Sequence, residues 1–256
     1  MGELLDFLMR RREQTVLYET SPAIVSVIVP CYNEAATVGL VVARVLGLQA
    51  SLQVNIELVV VDDGSTDDTS AIVAEYPSVR LIRHGRNMGK GAAVRTGLAN
   101  AAGDVIVIQD ADLEYFPEEI PGLVEPILRN QADVVLGSRF VGRRPEGMGS
   151  SHLLGNRILS LAASLLFRRC ITDVMTGHKA FRMTVLEGLR LERRGFEFET
   201  EVVAKALKSG CRLLEVPIRY RYREKGKAKI RWIHGLTSLL TLLEAFLRQE
   251  ASTTAG

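Results

Sequence analysis

Cysteine is scarce in this chain: only Cys31, Cys170 and Cys211 occur, odd in number and far apart. They offer neither a disulfide framework nor metal-ligand spacing, which suits a reducing compartment with the thiols as small core residues. An excess of one charge is missing too. The 32 basic and 30 acidic residues leave +2, so no global field recommends nucleic acid as a partner. No run of ~18 uncharged apolar residues occurs, so no membrane-spanning helix is expected. Residues 1–20 hold only a short apolar patch before Arg10, Arg11 and Arg12, too little for a secretory leader. His84, His152, His178 and His234 stand apart and form no zinc-binding helix pattern. His178, near Asp173, is either a structural histidine or within reach of a substrate phosphate. The Walker spacing is absent, as is Gly-x-Gly-x-x-Gly after the first apolar run, which argues against P-loop and dinucleotide readings. No internal repeat or low-complexity segment appears.

What is present is an α/β alternation in a chain that is 47% hydrophobic and long enough for one sizeable core. Apolar, β-branched runs predict strands at 24–29, 56–61, 79–83, 105–108, 133–139 and 212–220. Helical spacing predicts helices at 37–48, from the turn after 61 through 76, and at 92–101, 153–167, 196–208 and 230–248. The polar, Gly- and Arg-containing stretch 141–151 reads as a loop. Such an order predicts a mostly parallel sheet with helices on both faces.

The chain is organised around the fourth run, which ends in acids at alternate positions: Asp110, Asp112 and Glu114. In extended chain such residues point the same way. Three gathered carboxylates raise one another's pKa unless a cation intervenes, and Mg²⁺ or Mn²⁺ accepts a few carboxylates plus phosphate oxygens. The alternative is a solvated acidic turn. Two further turns follow strands. Asp62-Asp63-Gly64-Ser65 either receives a base N–H or caps the next helix through Ser65, Thr66 or Asp67. Asn87-Met88-Gly89-Lys90-Gly91 opens a helix, where backbone N–H groups and Lys90 can approach phosphate.

Taken in order, Pro30-x-Tyr32-Asn33-Glu34, Asp62-Asp63-Gly-Ser, Asn87-x-Gly-Lys-Gly and Asp110-Ala111-Asp112 resemble the family 2 glycosyltransferases of the GT-A fold. Asp110-Ala-Asp112-Leu-x-x-x-Pro117, Gly137-Ser138-Arg139, Asp173-x-x-Thr176-Gly177 and Gly195-Phe196-x-Phe198-x-x-Glu201 are closest to its polyprenyl-phosphate (dolichyl-phosphate) sugar synthases. Where these usually show Gly-x-Ser-Lys, this chain has Gly226-Lys-Ala-Lys229. His178-Lys179 stands where the relatives have less polar residues.

The resemblance implies a Rossmann-like GT-A domain over 23–229, with an extension at 1–22 and an amphipathic helix and tail at 230–256. It implies a nucleotide pocket of Pro30, Tyr32, Glu34, Asp62, Asp63, Lys90, Asp110 and Ala111, and a Mg²⁺ or Mn²⁺ site of Asp110, Asp112 and Glu114. Arg139, Arg157, Ser160 and Lys229 would hold an acceptor phosphate. Asp112, Arg139 and Asp173 would be catalytic, Asp173 positioning acceptor or sugar. The implied reaction is inverting transfer of a sugar from GDP-mannose or a UDP-sugar to polyprenyl phosphate. A soluble or saccharide acceptor, or a silent interaction module of the same fold, are the rivals.

Residues 219–231 hold seven basic side chains against Glu224, and Trp232 leads the apolar helix that follows. Such a pair suits an anionic membrane surface, or else the helix packs on the sheet or on a second subunit. The expected place of work is the cytoplasmic face of the membrane, peripherally bound. A homo-oligomer is compatible with the sequence.

Overall fold

The computed structural model describes residues 23–49, 54–142, 148–221 and 232–248. The extension at 1–22, most of the basic stretch including Lys229, and the last residues of the tail lie outside them.

Seven strands form one sheet: β1 (Ile24–Cys31), β2 (Asn55–Asp62), β3 (Arg80–Arg83), β4 (Val105–Ile108), β5 (Val134–Ser138), β6 (Lys179–Arg182) and β7 (Leu213–Pro217), in the order β3-β2-β1-β4-β6-β5-β7. All neighbours pair in parallel except β6, which runs antiparallel to β4 and β5. The α/β, mostly parallel expectation is therefore met, with one strand the sequence hid.

Alternation within the strands feeds two cores. Val105 and Val107 of β4 face one layer, with α1 (Val38–Gly47), α2 (Thr69–Ala74) and α4 (Ile120–Leu128). Ile106 and Ile108 face the other, made by α3 (Lys90–Leu98), α5 (Ser150–Phe167), α6 (Met183–Gly188), α7 (Phe198–Lys208) and α8 (Trp232–Leu247). A strand with residues of both parities buried reads as an unbroken apolar run, which is why β4 was visible in sequence. The C-terminal helix α8 packs on α5 and α7 through Leu242 and Ala245. Among the described residues no helix is long and apolar enough to cross a membrane. Of the cysteines, only Cys31 is a core residue. Cys170 is exposed and Cys211 half-buried, which corrects the reading of all three as core.

The chain leaves β1 toward β2 on one side and reaches β4 on the other. This reversal of strand order opens a crevice beyond the carboxyl ends of β1 and β4, where open α/β sheets bind ligands. Because β6 is antiparallel, its first residue pairs with the last of β4 (Lys179 with Ile108). Residues 173–179 are thereby delivered to the same edge.

Candidate active site

The acidic stretch after β4 is not extended. Ala111 and Asp112 form a turn and Leu113 has φ +61°, so the alternate carboxylates do not share one direction. Gln109, fully buried, fastens the turn by donating to the carbonyls of Asp110 and Tyr115 at 3.0 and 3.1 Å. Asp112 Oδ1 accepts from the Glu114 amide at 3.1 Å. The Glu114 carboxylate accepts from the Tyr220 hydroxyl at 2.7 Å. Among the described residues no three His, Cys, Asp or Glu side chains converge as metal ligands, which corrects the expected three-acid cluster. Asp110 and Asp112 still fit a divalent ion. Two hard carboxylates leave coordination positions for substrate phosphates and water, the arrangement Mg²⁺ prefers. Glu114 would first have to give up Tyr220.

Asp110 meets Lys90 Nζ at 2.6 Å, and the same ammonium lies 2.7 Å from Glu199. Glu199 is also paired with Lys179, which donates in turn to the Thr176 carbonyl. The result is a chain of alternating charge at the crevice, Asp110–Lys90–Glu199–Lys179, buried at Glu199 and Lys179 and half-buried at Asp110 and Lys90. Burial alone would lower the Lys90 pKa, but Asp110 and then Glu199 more than reverse it, so it is raised. For Lys179 burial wins over Glu199 and the pKa is lowered. The pKa of Glu199 is lowered, since the two ammonium groups overcome the upward push of burial. Lys90 therefore arrives charged and already aimed at the acidic corner. Gly177 explains the close fit: a side chain there would collide with the Asp110 carboxylate.

The Gly-rich loop serves differently from its expected role. The amides of Met88 and Gly89 donate to Asp63 at 2.9 and 2.7 Å, and His84 Nδ1 lies 2.6 Å from the same carboxylate. Those N–H groups are thus spent on protein, and only Lys90 reaches the crevice. Gly89, at φ +98°, could bear no side chain, since a Cβ would come within 2.5 Å of the Arg194 carbonyl. Asp62 is likewise engaged by the Ser65 amide at 2.9 Å and by Ser70. With Asp62 and Asp63 only 1% and 3% exposed, both brace the loops beside the crevice. Pro30, next to last in β1, is buried against β2, Tyr32 is half-buried, and Glu34 and Ala111 are buried at the same strand ends. Asn33 ties the first two loops together by accepting from the Thr66 amide at 2.8 Å.

Arg139 and Asp173 form one unit. The guanidinium grips the fully buried carboxylate twice at 2.7 Å, the Arg139 amide adds a bond of 3.0 Å, and Asn156 donates at 2.8 Å. Tyr115, Phe140 and Tyr220 surround the guanidinium, with ring centroids 5.2–5.9 Å away. Asp173 thus acts on Arg139 and faces no open space of its own. Arg157, exposed, and Ser160, buried, line an adjoining groove of about 530 Å³.

His178 is fully buried against the Tyr115 ring, and neither ring nitrogen has a hydrogen-bond partner among the described residues. It is therefore neither a phosphate contact at the surface nor a satisfied core histidine. Burial, reinforced by Lys179, pushes its pKa down to about 3. A base depressed on folding leaves the unfolded chain holding more protons between that value and about 6.5, so stability falls as pH falls through this window. His178→Phe should flatten the acid side of the stability curve by up to about 2–3 kcal/mol between pH 6.5 and 4.5. Urea unfolding of both proteins across that range checks it, and parallel pH slopes would refute it.

Glu199, Lys179, Tyr220 and Asn156 belong to this site although sequence reasoning did not single them out as site residues. Only Lys179 left a trace, as a charge where the resembled synthases have a less polar residue.

Three comparisons bear on this geometry. The profile described as Glycosyl transferase family 2 matches residues 26–190. The sequence is 35% identical over 217 residues to the dolichol-phosphate mannosyltransferase of Pyrococcus furiosus, covering 81% of this chain and 59% of that protein. The chain thus spans about three-fifths of that relative's length. It is 33% identical to the undecaprenyl-phosphate mannosyltransferase of Micrococcus luteus, covering 79% of this chain and 86% of that protein. The fold matches glucosyl-3-phosphoglycerate synthase of Mycobacterium tuberculosis, solved with Mn²⁺ and UDP-glucose, with a TM-score of 0.72 over 90% of this chain and 81% of that one. The identity there is 23%, so this match speaks for the fold alone.

Proposed function

The chain belongs to glycosyl transferase family 2, and from that premise we propose that it moves a sugar from a nucleoside diphosphate onto a polyprenyl phosphate at the cytoplasmic face of a membrane. The observation that carries the reading is the half-buried Lys90, held 2.6 Å from Asp110 at the β1–β4 crevice. Its position suits a group that meets a departing diphosphate. Pro30, Tyr32, Glu34 and Ala111 form the nearby wall for the nucleoside, braced by Asp62 and Asp63. Both mannosyltransferase relatives carry a lipid phosphate in their names, which supports the acceptor class. The donor is a guanosine or uridine diphosphate sugar.

Asp110 and Asp112 would hold a Mg²⁺ or Mn²⁺ ion, which when bound neutralises charge on the leaving diphosphate. Lys90, next to Asp110, would add a positive charge beside the diphosphate. Glu199, backed by Lys179, keeps the ammonium from leaving the crevice. An acceptor phosphate monoester is already anionic at neutral pH and needs little general-base help. Its oxygen attacks the anomeric carbon opposite the leaving group, giving inversion. Arg157 and Ser160 line the groove that receives the phosphate. Arg139 has Nε and Nη2 spent on Asp173, which leaves Nη1 for the same anion.

A panel of nucleotide sugars with a short-chain polyprenyl phosphate, read as nucleoside diphosphate released, tests the proposal. Release should require the lipid phosphate. Equal release with a saccharide acceptor, or with none, would overturn it.

A further inference from the structure

Nine of the thirteen exposed large apolar side chains among the described residues lie on two touching helices, α5 and α8. On α5 they are Leu154, Ile158, Leu161 and Leu165, 53–71% exposed. Their spacing is one outward stripe of a helix whose other face buries Leu153, Leu159 and Ala163. On α8 the same spacing recurs in Leu236, Leu240, Leu243 and Leu247, opposite the buried Ser238, Thr241, Leu242 and Ala245. The helices are locked together where Phe167 meets Phe246, ring centroids 5.9 Å apart. Scattered leucines on a surface need no explanation, but two adjacent stripes form a patch that does.

Charge at this patch is one-sided. Arg157, Arg168 and Arg169 line the groove beside it together with Leu161 and Leu165. None has an ion-pair partner among the described residues, and no acid occurs from Gly149 to Thr172. On α8 the single acid, Glu244, is already paired with Arg193 and Arg248. We infer that this α5–α8 face docks flat on a bilayer containing anionic lipid, the leucines entering the interface and the arginines resting on lipid phosphates. A second copy of this chain fits less well. A twofold interface sets the same patch against itself and would bring two such arginine sets together with no acid to receive them. The inference rests on the lipid-phosphate reading of the acceptor and deepens it. The groove that holds Arg157 and Ser160 opens beside the docked face, so a lipid phosphate reaches it without leaving the interface.

Flotation of the full chain with phosphatidylcholine vesicles, with and without phosphatidylglycerol, tests this. The parent should float with the anionic vesicles and less so at high salt. R168Q/R169Q should lower the partition about 25-fold, at about fivefold per guanidinium. R168K/R169K should restore it to near the parent, and L161S/L165S should lower it about tenfold or more. L240S/L247S, on α8 and outside the groove, should lower the partition likewise while leaving turnover on a short-chain polyprenyl phosphate in solution unchanged. Undiminished partition of the Gln and Ser variants would overturn the inference, as would a change in sedimentation that marks the face as a contact between copies. If vesicle binding follows the predicted order while lipid phosphate is not used, the surface stands and the acceptor reading falls.

Discussion

Asp112→Ala should lower kcat by about three orders of magnitude, or about 4 kcal/mol of transition-state stabilisation, while leaving the protein folded. The side chain sits half-exposed in the turn after β4, where Oδ1 accepts from the Glu114 amide. Loss of a half-exposed hydrogen bond costs about 1 kcal/mol, little for a domain of this size. The chemistry has no such reserve. Asp110 without Asp112 remains committed to Lys90 at 2.6 Å, and a single carboxylate so occupied is a poor seat for a divalent ion. Steady-state kinetics beside a thermal melt decide the matter. A variant that melts normally and keeps more than a tenth of its activity would remove Asp112 from the metal site.

Asp173→Ala should act on the fold, by about 3–5 kcal/mol. It would leave the Arg139 guanidinium, only 9% exposed, without the carboxylate that grips it twice, together with an orphaned amide and the Asn156 donor. Breaking a buried pair from one side is costly because the remaining charge is stranded. The Arg139 pKa, which burial alone would lower, is raised chiefly by Asp173; without that carboxylate the guanidinium still stays charged, because arginine is too strong a base to give up its proton. Replacing both residues with apolar ones of similar volume should recover much of the loss, since it strands no charge. Denaturant unfolding of the two single variants and the double one measures this. Additive losses would show that the pair is not the unit described. Arg139→Ala alone should also weaken acceptor use, a kinetic effect separable from stability by working well below the melting temperature.

The parts legible in the sequence were those governed by short-range rules. β1, β2 and β4 announced themselves as β-branched runs buried on both faces, and the turns that follow them as acids and glycines. β6 was hidden because its first residue, Lys179, is a charge whose burial only Glu199 makes tolerable, and Glu199 comes from a helix twenty residues on. α4 was hidden by Pro121 and Pro126: the first occupies the opening turn of the helix, where proline is tolerated, and the second lies inside it. The Asp110–Glu114 stretch carried the right residue types and the wrong geometry, because nothing in the pattern declares the left-handed Leu113. Asp62 and Asp63 accept from the amides of Ser65, Met88 and Gly89, contacts that depend on where residues 84–89 pass in space and that no local pattern declares.

The central claim is that Asp110, Asp112 and Lys90 receive a nucleoside diphosphate together with a divalent ion. Calorimetric titration of GDP and UDP into the protein, in Mn²⁺ and in chelator, addresses it without relying on turnover. One of the two nucleotides should bind only when Mn²⁺ is present, and Asp112→Ala should abolish that binding. Equal affinity in chelator, undisturbed by the substitution, would place the diphosphate elsewhere and contradict the account.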